Sequence, residues 1–163
     1  LTDPKLLDKI VDIVNRYDIP YEYIEIELTE TTTEGDYNKL KKLVEGLKKI
    51  GIYTSIDDFG IGYSSLNLIR ELPWNVMKID RSLLPTSSTN EKDLSTILYK
   101  HITAMACDMG LECITEGVET EEQVQILRDN SCEYAQGYYY DRPLSLDEFE
   151  KRLEAGEYPV HLR

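Results

Sequence analysis

The stretch IDDFGIGYSSL, residues 56–66, places two adjacent carboxylates, Asp57 and Asp58, at the end of an apolar run. A glycine-rich loop follows them. An apolar run entering such a loop reads as the C-terminal end of a β-strand. Adjacent aspartates repel each other and give the fold no obvious gain, so the question is what they hold.

Working outward, the same pattern recurs along the chain. Strands are predicted over 24–28, 53–57, 76–79, 111–115 and 134–136. Helical spacing separates them. Leu6, Leu7, Ile10, Ile13 and Val14 follow Asp3-Pro4, and a helix over 36–50 carries Leu40, Leu43, Val44 and Leu47 on one face before Gly51 ends it. A short helix spans 66–71, and a long one spans 91–109, closed by Gly110. Thr120 caps a helix over 120–129, and Ser145 with Glu148 forms a capping box for a helix over 145–153. Strand–helix alternation throughout implies parallel strands joined by helical crossovers.

A doubly wound open sheet and a (β/α)8 barrel both fit that alternation, and the polar residues decide between them. Parallel sheets are ordinarily apolar on both faces. Here one parity of each strand ends in a polar group: Glu27, Asp57, Lys78, Glu116 and Gln136. Five consecutive strands delivering polar groups to one rim describe the top of a barrel. An open sheet would gather its site at one switch point. Five strands do not close an eight-stranded barrel, which needs roughly 250 residues. The expectation is therefore an α/β, TIM-barrel-like domain of about five βα units over residues 1–163, with its N-terminal strands missing.

Composition narrows the function. The chain has 163 residues, 41% of them hydrophobic, and a net charge of −13. That acidity argues against nucleic-acid or anionic-membrane partners, which call for basic patches. A phosphate-bearing substrate stays open, because bound divalent cations reverse the local field. No apolar run reaches the ~18 residues of a membrane span, so this segment is not expected to insert directly. The first residue is not Met, and the opening residues read as the middle of something. Cys107, Cys113 and Cys132 are odd in number and form no CxxC, which fits reduced thiols in a cytoplasmic domain. His101 and His161 lie far apart and are not expected to be catalytic.

Glu27, Asp57, Asp58 and Glu116 would form a carboxylate ring, a conflict that hard divalent cations resolve. Oxygen ligands without His or Cys suit Mg²⁺, Mn²⁺ or Ca²⁺ rather than Zn²⁺. Asp57 is placed to bridge two ions while Asp58 holds one, and a pair of ions is a standard device for phosphate-ester hydrolysis. Lys78, on the same face, would orient a water or offset transition-state charge. Gln136 both donates and accepts. Each feature has a plainer reading. A lone DD pair is ordinarily two loop carboxylates, and a strand-end lysine is ordinarily a salt-bridge partner. Five polar groups in register are harder to dismiss. Asp80 reads as a structural cap, and Tyr138, Tyr139 and Tyr140 as packing.

The chain resembles the C-terminal two-thirds of an EAL domain, the bacterial cyclic di-GMP phosphodiesterase. The resemblance is carried by IELTE (residues 26–30), DDFGIGYSSL (57–66), KID (78–80), EGVET (116–120) and QGYYYDRPL (136–144) in shared order. It implies a (β/α)8-type barrel and hydrolysis of cyclic di-GMP to linear pGpG with two Mg²⁺ or Mn²⁺ ions. It implies metal roles for Glu27, Asp57, Asp58 and Glu116. Lys78 would contact the attacking water, and Gln136 would help order the site. The loop of Phe59, Gly60, Ile61, Gly62, Tyr63, Ser64 and Ser65 would govern the metal site and the dimer, braced by Glu30 and linked to Glu119. The resemblance further implies two metal ligands upstream of Leu1, a glutamate and an asparagine. Ile61 departs from the family's usual Thr and removes a hydroxyl from that loop. The expectation is an active parent and an inactive fragment that is tethered, domain-swapped or oligomeric, including a homodimer. The alternative is a non-catalytic cyclic di-GMP receptor or interaction module.

Overall fold

The computed structural model describes residues 3, 5–29, 37–61, 66–86 and 93–156. Among them the elements run α1 (Leu6–Arg16), β1 (Glu25–Thr29), α2 (Tyr37–Ile50), β2 (Tyr53–Phe59), α3 (Leu66–Glu71) and β3 (Val76–Ile79). Then follow α4 (Leu94–Asp108), β4 (Glu112–Glu116), α5 (Glu121–Asp129), β5 (Tyr134–Gln136) and α6 (Leu146–Ala155). Two 3-10 turns, Tyr21–Tyr23 and Arg81–Leu83, have no counterpart in the sequence reading. The second is capped by Asp80, whose carboxylate accepts from Ser82 N at 2.8 Å, as expected of a structural cap.

The five strands form one parallel sheet in the order β1-β2-β3-β4-β5. Sequential order is what a barrel requires, whereas a doubly wound sheet reverses direction at a switch point. The sheet is not closed: β1 and β5 are its edges. The fold is α/β and barrel-like, as predicted.

The strands alternate for a physical reason. Leu28, Ile56, Met77 and Ile79 point into a core completed by Leu40 and Val44 of α2, Tyr99, Ile102 and Ala106 of α4, and Val124 and Leu127 of α5. A second core joins Val14 to Leu43, Leu47 and Ile52, with Leu6, Leu7 and Ile10 of α1 against it. Full burial of a leucine such as Leu40 or Leu47 stabilises by about 1.5–3 kcal/mol. The residues of opposite parity, released from that apolar layer, carry the polar groups.

Helix ends follow the expected chemistry. Thr120 Oγ1 accepts from Gln123 N at 3.2 Å, while Gln123 Oε1 accepts from Thr120 N at 3.1 Å. The Ser145 backbone N–H and hydroxyl both donate to Glu148. Strand β2 runs two residues beyond its predicted end, through Asp58 to Phe59. Its pairing with β3 shifts register between Ile56 and Phe59, a bulge that the sequence pattern did not reveal.

Candidate metal and phosphoester site

The bulge builds the site. In a regular strand neighbouring side chains point to opposite faces, so Asp57 and Asp58 would part company. Asp58 instead takes φ +57°, in the left-handed region that aspartate tolerates better than most residues, and Gly60 follows at φ +108°. With the backbone turned there, oxygens of Asp57, Asp58 and Glu116 lie within 4.8 Å of one another.

Lys78 sits beneath this group. Its Nζ lies 2.8 Å from Glu27 Oε1, 2.8 Å from Glu116 Oε1 and 3.2 Å from Asp57 Oδ1. Its side chain is only 7% exposed, so the ammonium is a buried hub of three carboxylates. Burial alone would lower its pKa, but the hydrogen bonds to Glu116 and Glu27 and the nearby carboxylate charges outweigh that and raise it. The lysine therefore stays protonated. The plain reading, a salt-bridge partner, and the functional one describe the same geometry.

Asp58 shows the opposite strain. Burial first, and then the charges of Asp57 and Asp80, push its carboxyl above the ordinary aspartate value, with Lys78 pulling it back. Asp57 Oδ1 is buried and accepts no hydrogen bond, since Lys78 is close without the required alignment. A clustered carboxylate trio in which one buried oxygen has an ion pair but no hydrogen bond among the described residues is a donor set that fits a hard divalent cation. Glu27 stands apart from the trio. It is half exposed on the edge strand and joins the site through Lys78.

A cavity of about 270 Å³ opens beside the cluster, walled by Glu116, Glu119, Gln136, Asp80, Arg81 and Tyr138, with Gly117 and Gly137 between them. Gly137 is required there. A Cβ at that position would lie 2.1 Å from the Val118 carbonyl oxygen, which is backbone and cannot yield. That close approach lets Val118 N donate to the Gln136 carbonyl at 3.1 Å and Tyr139 N donate to the Val118 carbonyl at 2.9 Å. The loop bearing Glu119 is thereby clamped to the strand bearing Gln136.

The structure thus brings together Asp57, Asp58, Glu116, Lys78 and Glu27, and sets Gln136 and Glu119 on the adjoining wall. Phe59 is buried in the core and Ile61 is exposed. Glu30, Gly62, Tyr63, Ser64 and Ser65 lie outside the described residues. Arg81 and Tyr138 were missed as cavity residues. Tyr138 is exposed, with the Arg142 guanidinium 4.7 Å over its ring, whereas Tyr139 is buried against Tyr140 as packing. Only the position of Arg81 next to the KID motif hinted at its place.

The chain is 37% identical over 150 residues to the cyclic di-GMP phosphodiesterase NbdA of Pseudomonas aeruginosa, covering 92% of this chain and 19% of that protein. It thus spans under a fifth of the length of that curated relative. The crystal structure of the EAL domain of Mycobacterium smegmatis DcpA superposes with a TM-score of 0.88 at 30% identity, covering 98% of this chain and 70% of that one. The PaMucR phosphodiesterase in its c-di-GMP complex gives a TM-score of 0.81 at 30% identity, covering 89% and 64%. A family model described as the EAL domain matches residues 1–143. The chain belongs to the EAL domain family.

Proposed function

We propose that this chain is the C-terminal part of a phosphodiesterase domain that hydrolyses one phosphodiester of cyclic di-GMP, giving linear pGpG. Asp57, Asp58 and Glu116 are its clustered carboxylates for two divalent cations, Mg²⁺ or Mn²⁺, with Glu27, now paired with Lys78, as the fourth. The observation that carries this reading is the clustered trio of Asp57, Asp58 and Glu116, set against a buried ammonium. The substrate class is supported by NbdA, named a cyclic di-GMP phosphodiesterase, and by the c-di-GMP complex of PaMucR.

When bound, the cations polarise the phosphate and lower the pKa of an attacking water. The chain's own residues do the rest. Lys78, kept protonated, acts as a hydrogen-bond donor and fixed charge, orienting a water and offsetting negative charge on the phosphate oxygens in the transition state. Its raised pKa makes it unsuited to accept a proton as a base. Gln136 offers a donor and an acceptor on the cavity wall. Glu119 and Glu30 act on the loop from Phe59 to Ser65, which controls the site and the association of protomers.

By itself the 163-residue chain should hydrolyse little, because its sheet has two free edges and the barrel-like relatives extend further. Unpaired edges favour pairing with upstream strands, domain swapping or self-association as a dimer. The reading places the domain in the cytoplasm. No helix among the described residues is long and apolar enough to cross a membrane.

The test is a protein extended upstream by roughly 90 residues, the shortfall from a full barrel. It is incubated with cyclic di-GMP and Mg²⁺ or Mn²⁺ beside its Asp57→Asn variant and the 163-residue chain. Formation of pGpG by the long form alone supports the proposal. Binding of the dinucleotide without cleavage by the long form overturns it in favour of a receptor.

A further inference from the structure

One cation beside the carboxylate cluster has no task in the chemistry above. Arg81 opens the 3-10 turn that follows β3 and lines the cavity of about 270 Å³ together with Glu116, Gln136 and Tyr138. Its backbone is fixed, because Leu84 N donates to the Arg81 carbonyl at 3.1 Å and the Asp80 cap holds the turn. Gly117, at φ +69°, makes room for its side chain, since a Cβ there would lie 2.5 Å from Arg81 Cβ and 3.0 Å from its Cδ. Other arginines are engaged: Arg70, Arg128 and Arg152 each hold a carboxylate, and Arg142 lies over Tyr138. Arg81 is exposed and makes no ion pair or side-chain hydrogen bond among the described residues, although Asp80, Glu116 and Glu119 line the same cavity. Tyr138, on the same wall, is 52% exposed. With the Arg142 guanidinium 4.7 Å over one face of its ring, the other face is the one left for stacking.

We propose, resting on the cyclic di-GMP reading, that Arg81 is a specificity-determining residue that reads one guanine of the dinucleotide, with Tyr138 as the surface on which that base stacks. A guanidinium presents its N–H donors as a planar fork, and the O6 and N7 acceptors of guanine match that fork as a pair. Adenine sets an N6 amino donor beside N7, so the fork loses one bond there and meets a donor instead. A phosphate is the poorer guest on this wall. Three carboxylates line the cavity and repel an anion, whereas a neutral base brings no charge to oppose them. The volume agrees. At about 270 Å³ the cavity falls below the roughly 300–1,000 Å³ that encloses a drug-sized ligand, so it takes one nucleobase and not the whole dinucleotide. Glu116 is both a wall of this cavity and a member of the carboxylate trio, which sets the base next to the phosphoester to be cleaved.

The test uses the upstream-extended protein beside its Arg81→Ala, Arg81→Lys and Tyr138→Leu variants. Initial rates of pGpG formation in Mg²⁺ give kcat and KM, and inhibition by cyclic di-AMP gives the affinity for the adenine analogue. Arg81→Ala should raise KM for cyclic di-GMP about tenfold while leaving cyclic di-AMP nearly untouched, so the preference for guanine falls by the same factor. Its kcat should stay within about threefold of the parent's, because the lost contact is made equally in the ground state. Arg81→Lys should not restore the preference, since an ammonium lacks the fork. Tyr138→Leu should weaken both dinucleotides alike, because stacking is indifferent to the base. Both side chains are exposed, and melting temperatures equal to the parent's separate a lost contact from a lost fold. Equal weakening of both dinucleotides by Arg81→Ala, with rescue by lysine, assigns the residue to phosphate and overturns the proposal. An unchanged KM and preference in Arg81→Ala, with pGpG still formed, removes the subsite alone. Failure of the unmutated extended protein to form pGpG removes the phosphodiesterase reading, and the subsite falls with it.

Discussion

Replacing Lys78 with methionine keeps the length of the side chain and removes the ammonium that pairs with Glu27, Asp57 and Glu116. Removing one member of a fully buried ion pair costs roughly 3–5 kcal/mol, since the orphaned partner remains in a poor solvent. Here Asp57 and Glu116 are 18% and 21% exposed and Glu27 is 51% exposed, so water recovers part of that loss. The expected destabilisation is about 2–3 kcal/mol. With a urea slope of ~1–3 kcal/mol per molar, the unfolding midpoint of Lys78→Met should fall by about 1 M at neutral pH. Mg²⁺ should restore more stability to this variant than to the parent, because a cation takes over the neutralisation. The pH profile has a definite sign. A lysine whose pKa is raised on folding contributes its stability in full below the unfolded value of 10.5 and loses it as pH rises through the folded value. The gap between parent and variant should therefore be flat from pH 6 to 9 and narrow above 10.5. Equal midpoints at neutral pH, or a gap that persists unchanged in strong alkali, would refute the hub as a source of stability.

Asp58→Asn should raise the stability of the metal-free chain at neutral pH. The folded pKa of Asp58 is raised, so its ionised form opposes folding above that value, and asparagine keeps the left-handed backbone while shedding the charge. Differential scanning calorimetry should show a higher melting temperature, with loss of pGpG formation in the extended protein; a lower one would contradict the charge argument. Gly137→Ala should cost about 3 kcal/mol, as its Cβ meets backbone of Val118, and a urea midpoint equal to the parent's would show that the clamp relaxes freely. Mg²⁺ or Mn²⁺ should raise the melting temperature of the chain beyond NaCl at matched ionic strength, and Asp57→Asn should remove that increment.

Much of this protein is written along the chain. The strands appear as short apolar runs with a polar residue of fixed parity at the end, because a strand side chain has only two directions to choose from. The helices appear through caps and apolar spacing, and helices α3 and β-strands β3 and β5 begin and end where the pattern puts them. The identity of the rim residues was legible for the same reason, since burying a carboxylate or ammonium among leucines costs too much to occur by accident.

What the chain does not spell out is how far each polar group reaches. Nothing in the letters DD says that Asp58 turns to positive φ; that conformation is imposed by the register shift between β2 and β3 and by the turn at Gly60. Lys78 and Glu27 are 51 residues apart in sequence yet hydrogen-bonded at 2.8 Å, while Glu27 stays out of the carboxylate trio that parity alone would have given it. Parity is a local property of each strand and survives in the sequence. Distance across strands depends on register, bulges and helix packing summed over the whole sheet, and only the tertiary structure decides it.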